Sequence, residues 1–296
     1  MRVSLGIEIE LHKGRYTNLE DSLSQNSFLS SDAYMVGISG QSDLIYLKRD
    51  FLFKSGYFRG TTSGSLFTIP GRYRGKTLVV GHSDISTNRS TLRLLQAVGV
   101  RKVFGVNTQP LKDFSYSLPL GLTNFTNESK LHSLFGDVSH FRVANSTTNF
   151  EDKFRPHFYL NFTKANNSKN RENALRFFSK LPPPYKVTLD SPDFTVNGRV
   201  DFLSKCRQSA FVVCPEGNGI DTHRLWETLY MGGIPVVLKH PKLDQLTQSL
   251  PVLVIRDWSE ILDIDFLESS WAEIVSKLWN PNLLSSKFWI NLIKTT

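Results

Sequence analysis

Residues 211 to 237 read "FVVCPEGNGIDTHRLWETLYMGGIPVV". An apolar block opens the run, a turn carrying Gly217 and Gly219 follows, and an amphipathic stretch then places Leu225, Trp226, Tyr230 and Met231 toward a core. Gly232 and Gly233 mark the end of that helix, and "IPVVL" starts a second buried strand. Strand, helix and strand in this order form a βαβ unit with parallel strands.

The alternation extends in both directions. Upstream lie "HFYLNF" as a strand, "SKNRENALRFFSKL" as a helix, "YKVTL" as a strand and "GRVDFLSKCRQS" as a helix; downstream lie "LDQLTQSL" as a helix and "PVLVI" as a strand. The expected product is a parallel sheet with helices on both faces, a Rossmann-like domain over residues 151–296. Residues 1–150 predict a second α/β domain, with "MVGISG", "DLIYL", "TLVVGHSD" and "VRKVFGVNT" as strands and "TNRSTLRLLQAVG" as a helix. The polar, aperiodic "FGDVSHFRVANSTTNFEDKFR" is expected to be the linker, and two helical patterns in the tail break at Asn280 and Pro281.

A chain of 296 residues has room for two such domains, and 40% hydrophobic with 21% charged residues is an ordinary globular composition. No apolar stretch approaches the roughly 18 residues of a membrane span, and the amino-terminal sequence has no apolar signal block, so the expected location is the cytoplasm. Cys206 and Cys214 are expected as buried thiols rather than a bridge. The net charge of +8 suits an anionic partner: a nucleotide, a nucleic acid or a membrane surface. Because the basic residues are scattered rather than clustered, nucleic acid is the disfavoured member of that group, while peripheral membrane contact stays compatible.

Parallel α/β sheets bind ligands where strand ends lead into helix amino termini. "CPEGNGIDTHR" occupies such a place. Gly217 and Gly219, flanking Asn218, are expected to give a turn with positive φ and close backbone approach, and Asp221 or Thr222 to cap the following helix. The unpaired first-turn amides suit a phosphate, onto which Arg224 can fork and His223 can donate a further bond. Three residues on, Glu227 stands on the same helix face and can accept from ribose hydroxyls, or else form a plain salt pair with Arg224.

The whole run resembles the carboxyl-terminal motif of exostosin-like glycosyltransferases, in which a strand, a glycine-containing turn, a "DTHRLWE" helix and a "G.IPVV" strand recur. "FYLNFTKANNSKNRENALRFF" is similar to the strand and loop that open the family's donor domain, and "LPLGLTN" to its interdomain turn. The resemblance covers roughly the second half of the chain. It implies the GT-B fold, two Rossmann-like domains facing across a cleft, with a nucleotide-sugar donor on the carboxyl-terminal side and a saccharide or glycan acceptor in the cleft. It further implies inversion at the anomeric carbon without an essential metal or separate cofactor. Arg224 is similar to the family's phosphate-binding residue and Glu227 to its ribose-binding acid, while Glu216 occupies a position where several residue types fit.

An inverting transfer needs a base. His82 and Asp84 in "VVGHSD" follow a strand of the first domain and are the candidates; otherwise Asp84 caps the helix starting near Thr87 and His82 is a loop residue. Asp263 and Asp265 in "LDIDFL" form an Asp-X-Asp pair of the kind that holds divalent ions, but their setting reads better as a solvated connecting segment. The expectation is a glycosyltransferase using a uridine diphosphate sugar. The alternatives are a catalytically silent nucleotide-sugar or saccharide-binding protein, and a fucosyltransferase-like enzyme with a guanosine donor.

Overall fold

Short runs of mostly apolar residues build two parallel sheets. The structure, a computed structural model, describes residues 44–48, 74–81, 87–123, 125, 127, 129–148 and 154–296. The first sheet contains β1 (Leu44–Lys48), β2 (Thr77–Gly81), β3 (Lys102–Val106) and β4 (Ser115–Leu118) in that spatial order. All neighbours run parallel, with Val79 opposite Phe104 and Phe104 opposite Tyr116. Helix α1 (Arg89–Ala97) joins β2 to β3, and its amino-terminal cap is Asn88, whose side chain accepts from the Thr91 amide at 3.0 Å. The expected strand "MVGISG" lies outside the described residues.

After α2 (Lys130–Phe135) and α3 (Ser139–Thr147), the second sheet is built from β5 (His157–Asn161), β6 (Lys186–Asp190), β7 (Phe211–Val213), β8 (Ile234–Leu238) and β9 (Leu253–Ile255). Its spatial order is β6-β5-β7-β8-β9, again all parallel. The intervening helices are α4 (Ser168–Phe178), α5 (Val196–Gln208), α6 (His223–Tyr230) and α7 (Asp244–Thr247). Successive strands move one way from β5 to β6 and the other way from β7 onward. This reversal opens a crevice at the carboxyl ends of β5 and β7.

Alternate residues of β2, β3, β5, β7 and β8 enter different cores. Phe158 and Leu160 of β5, Phe211 and Val213 of β7, and Val236 of β8 join Phe178 of α4 and Leu267 of α8 (Ile264–Ser276) on one face. Tyr159, Val212 and Val237 point the other way, into a cluster that also takes Val79, Phe104 and Leu118 from the first sheet. A third cluster packs Leu78, Val80 and Val103 against Leu92 and Leu95 of α1. Helix α9 (Ser286–Thr295) carries Trp289 and Ile293 into the cluster shared by both sheets, and beyond it the Thr296 carbonyl accepts from Lys102 Nζ at 2.7 Å. The carboxyl-terminal helix thus returns to the first sheet.

Two expectations are corrected. Part of the supposed linker is helix α3, which buries His140, Phe141 and Ala144 and sets the Phe141 ring 6.3 Å from that of Tyr230. Its apolar face is only a few residues wide, so polar composition hid the helical period. Asp263 and Asp265 stand at the start of α8 rather than in a connecting segment, Asp263 capping it by accepting from the Phe266 amide at 2.9 Å. Among the described residues, no helix is long and apolar enough to cross a membrane.

Candidate functional site

A cavity of about 520 Å³ opens at the crevice between β5 and β7. Gly217, Asn218, Gly219, Asp221, Thr222, His223, Arg224 and Glu227 all line it, as the sequence leads one to expect. Glu216 does not. Its carboxylate accepts from Asn170 Nδ2 at 3.1 Å and its carbonyl from Arg171 Nε at 3.1 Å, which makes it a support for the wall. His82 and Asp84 lie outside the described residues.

The turn works by close approach. Neither Gly217 nor Gly219 has a φ in the left-handed region, contrary to expectation; that conformation belongs to Gly232 behind α6 (φ 78°) and to Gly121 (φ 70°). A Cβ on Gly219 would stand 2.7 Å from Asn107 Nδ2, and one on Gly217 3.0 Å from Arg171 Nη2. Bare backbone is what lets Asn107, just past β3, reach the loop. Its side-chain oxygen accepts from the amides of Ile220 at 3.1 Å and Asp221 at 2.9 Å.

Asp221 and Thr222 take different parts. Thr222 occupies the cap position of α6 in extended conformation without a side-chain cap bond, so the first-turn amides receive no hydroxyl from it. Asp221 turns instead toward the first half of the chain, accepting from the Leu120 amide at 2.7 Å and from Trp226 Nε1 at 2.8 Å. Burial pushes its carboxyl up to about 7, against the opposing pull of the Leu120, Trp226 and Thr222 donors. His223 Nδ1 donates to the Gly121 carbonyl at 2.7 Å. Leu120 and Gly121 are therefore clamped to the start of α6.

Two further arginines, Arg171 and Arg199, line the cavity beside Arg224. Arg171 is the fourth residue of α4 and Arg199 the fourth residue of α5, while Arg224 is the second of α6. Each helix follows a strand of the parallel sheet, so each first turn faces the same edge. A cation at a helix amino terminus opposes the macrodipole, and none of these three first turns carries a compensating acidic residue. Arg171 and Arg224 both lie 5.7 Å from the centre of the Phe162 ring. Burial, with Arg224 adding repulsion, lowers the Arg171 guanidinium to about 10.

Arg199 is only 1% exposed and meets Glu227 at 2.8 Å. Glu227 thus does form an ion pair, but with Arg199 of the preceding helix rather than with Arg224. Arg199 Nε and Nη1 and Arg224 Nε are buried without hydrogen-bond partners, and no carboxylate among the described residues pairs with Arg224. Buried donors left open are costly unless something fills them. Asp193, Asp221 and Glu227 also line the cavity, but Glu227 is taken by Arg199 and burial favours the neutral form of Asp221, so the open guanidinium donors suit an anion with several oxygens.

No protein-family model matches the chain, and no curated protein matches it.

Proposed function

We propose that the chain is a GT-B-type glycosyltransferase, its two parallel-sheet halves facing across the cleft, which binds the diphosphate of a nucleotide sugar in this cavity and passes the sugar to a hydroxyl of a saccharide or glycan. The observation that carries the reading is the placing of Arg171, Arg199 and Arg224 on the first turns of three helices around one switch-point crevice. An oxyanion placed there satisfies the guanidinium groups and the helix dipoles together.

In the proposed reaction the acceptor oxygen attacks the anomeric carbon while the bond from that carbon to the diphosphate oxygen breaks, so the carbon inverts. The electron pair leaves on the diphosphate, where Arg224, Arg171 and the amides opening α6 neutralise the growing charge. The hydroxyl proton passes to a base, for which His82 and Asp84 are the proposed residues. Glu227, held by Arg199, accepts from the ribose hydroxyls. The donor is proposed to be a uridine diphosphate sugar. A cytoplasmic setting belongs to the same proposal, supported by two buried cysteines left unbridged.

Calorimetric titration with UDP and with GDP in the presence of chelator tests this. The expected result is binding of one nucleotide, weakened by about 1.5–3 kcal/mol in Arg224→Ala, as for a hydrogen bond to a charged group. Absence of binding to either would overturn the reading.

A further inference from the structure

Beyond the arginines, the cavity changes character. Phe194 lines it yet is 58% exposed, and Leu131, which also lines it, is 51% exposed. Large apolar groups left open at the mouth of a charged pocket call for a ligand that covers them. Phe194 is not a loosely held side chain. Asp193 accepts from the Thr195 amide at 3.0 Å, Thr195 caps α5 by accepting from the Gly198 amide at 3.0 Å, and any Cβ on Gly198 would overlap the Asp193 side chain. The loop between β6 and α5 is thus fixed with its ring presented outward.

A continuous wall joins this ring to the anion site. Arg224 stands 5.8 Å from the centre of the Phe202 ring, Arg199 5.4 Å from Phe202 and 5.0 Å from Phe135. The rings of Phe135 and Phe194 meet edge to face with centres 6.0 Å apart. Glu227, bound to Arg199, falls between the two ends. Along one wall the order is therefore Arg224, the Arg199–Glu227 pair, and the exposed aromatic ring.

We infer that Phe194, backed by Phe135, is the stacking platform for the nucleobase, and that the pocket selects a nucleoside diphosphate over a bare diphosphate. This rests on the diphosphate reading above. The order of groups matches that of the ligand: phosphates on Arg171 and Arg224, ribose at Glu227 beside its partner Arg199, and a flat π-system on the exposed ring. A cavity of about 520 Å³ lies within the roughly 300–1,000 Å³ usual for such ligands. Stacking tolerates any base, so the platform supplies affinity for the nucleoside without by itself choosing uracil or guanine.

The test titrates UDP, GDP and inorganic pyrophosphate into the full chain and into Phe194→Ala and Phe194→Tyr. Since base–aromatic stacking contributes about 1–3 kcal/mol, Phe194→Ala should weaken the bound nucleotide by at least about fivefold and leave pyrophosphate unchanged, while Phe194→Tyr retains nucleotide affinity. Equal nucleotide affinity in Phe194→Ala, or an equal loss for pyrophosphate, would overturn the platform and leave the diphosphate site standing. Failure of the unmodified chain to bind pyrophosphate or either nucleotide would overturn both. Thermal melting of each variant guards against misfolding, which an exposed ring makes a minor risk.

Discussion

The buried pair Arg199–Glu227 offers the sharpest energetic test. Replacing Glu227 by Gln keeps its shape and removes its charge, leaving a guanidinium whose side chain is fully buried with Nε and Nη1 already unsatisfied. At 2.8 Å the Coulomb attraction is roughly 6 kcal/mol for an effective dielectric of about 20. Desolvation of both ions offsets much of that in the intact pair, but the single variant keeps the cost and loses the attraction. Breaking such a pair from one side typically costs about 3–5 kcal/mol. Phe135, Phe141 and Phe202 surround Arg199 within 5.0–5.4 Å and supply only a partial substitute through their ring faces. Urea denaturation of the chain, of Glu227→Gln, of Arg199→Met and of the double variant closes a cycle. Each single change should lose about 3 kcal/mol or more, and the double variant should recover most of one loss. Additive effects, or a Glu227→Gln loss under about 1 kcal/mol, would refute the claim that this ion pair is desolvated and coupled.

Asp221 makes stability depend on pH. Its folded value near 7 lies above the unfolded one, so the folded state binds the extra proton; the resulting stability is complete below about pH 4 and lost as pH rises through 7, a change of roughly 4 kcal/mol. Denaturation of the chain and of Asp221→Asn at pH 5 and pH 8 should show the chain falling more steeply between the two, and parallel slopes would contradict it. Asn107→Ala should cost about 2–4 kcal/mol by stranding the amides of Ile220 and Asp221, measurable by denaturation; a loss below about 0.5 kcal/mol would show that the two amides find another acceptor. Gly219→Ala should destabilise by about 1–3 kcal/mol because Asn107, held by those two amides, has little room to yield, and an unchanged midpoint would refute the close approach.

The second sheet was legible because its strands are short apolar runs punctuated by glycine, proline and amphipathic helices, and local pattern suffices for local elements. "HFYLNF", "YKVTL" and "IPVVLK" each became a strand within a residue or two of expectation. Helix α3 was not legible, since three buried residues among nine are a thin apolar signal and its burial depends on α5 and Tyr230 far along the chain. In the site, Arg224 and the turn could be read because one short segment holds them. Arg171 and Arg199 could not be ranked alone, because an arginine in an amphipathic helix is usually solvated; only the parallel topology places their first turns on the same edge. The signal available beforehand was a basic residue in the first turn of each of three helices that follow strands, where the dipole disfavours it. The sequence sets Glu227 on the helix face of Arg224, but its ion-pair partner Arg199 lies 28 residues upstream, beyond the reach of local pattern.

The return of α9 to the first sheet also sets an order on synthesis. Strands β1 to β4 leave the ribosome long before α9, which follows β4 by roughly 170 residues, or about 10–30 s at ordinary elongation rates. During that interval the cluster that receives Trp289 and Ile293 lacks them, and Lys102 lacks the Thr296 carbonyl. The early half of the nascent chain is thus an unfinished surface that its own late segment completes.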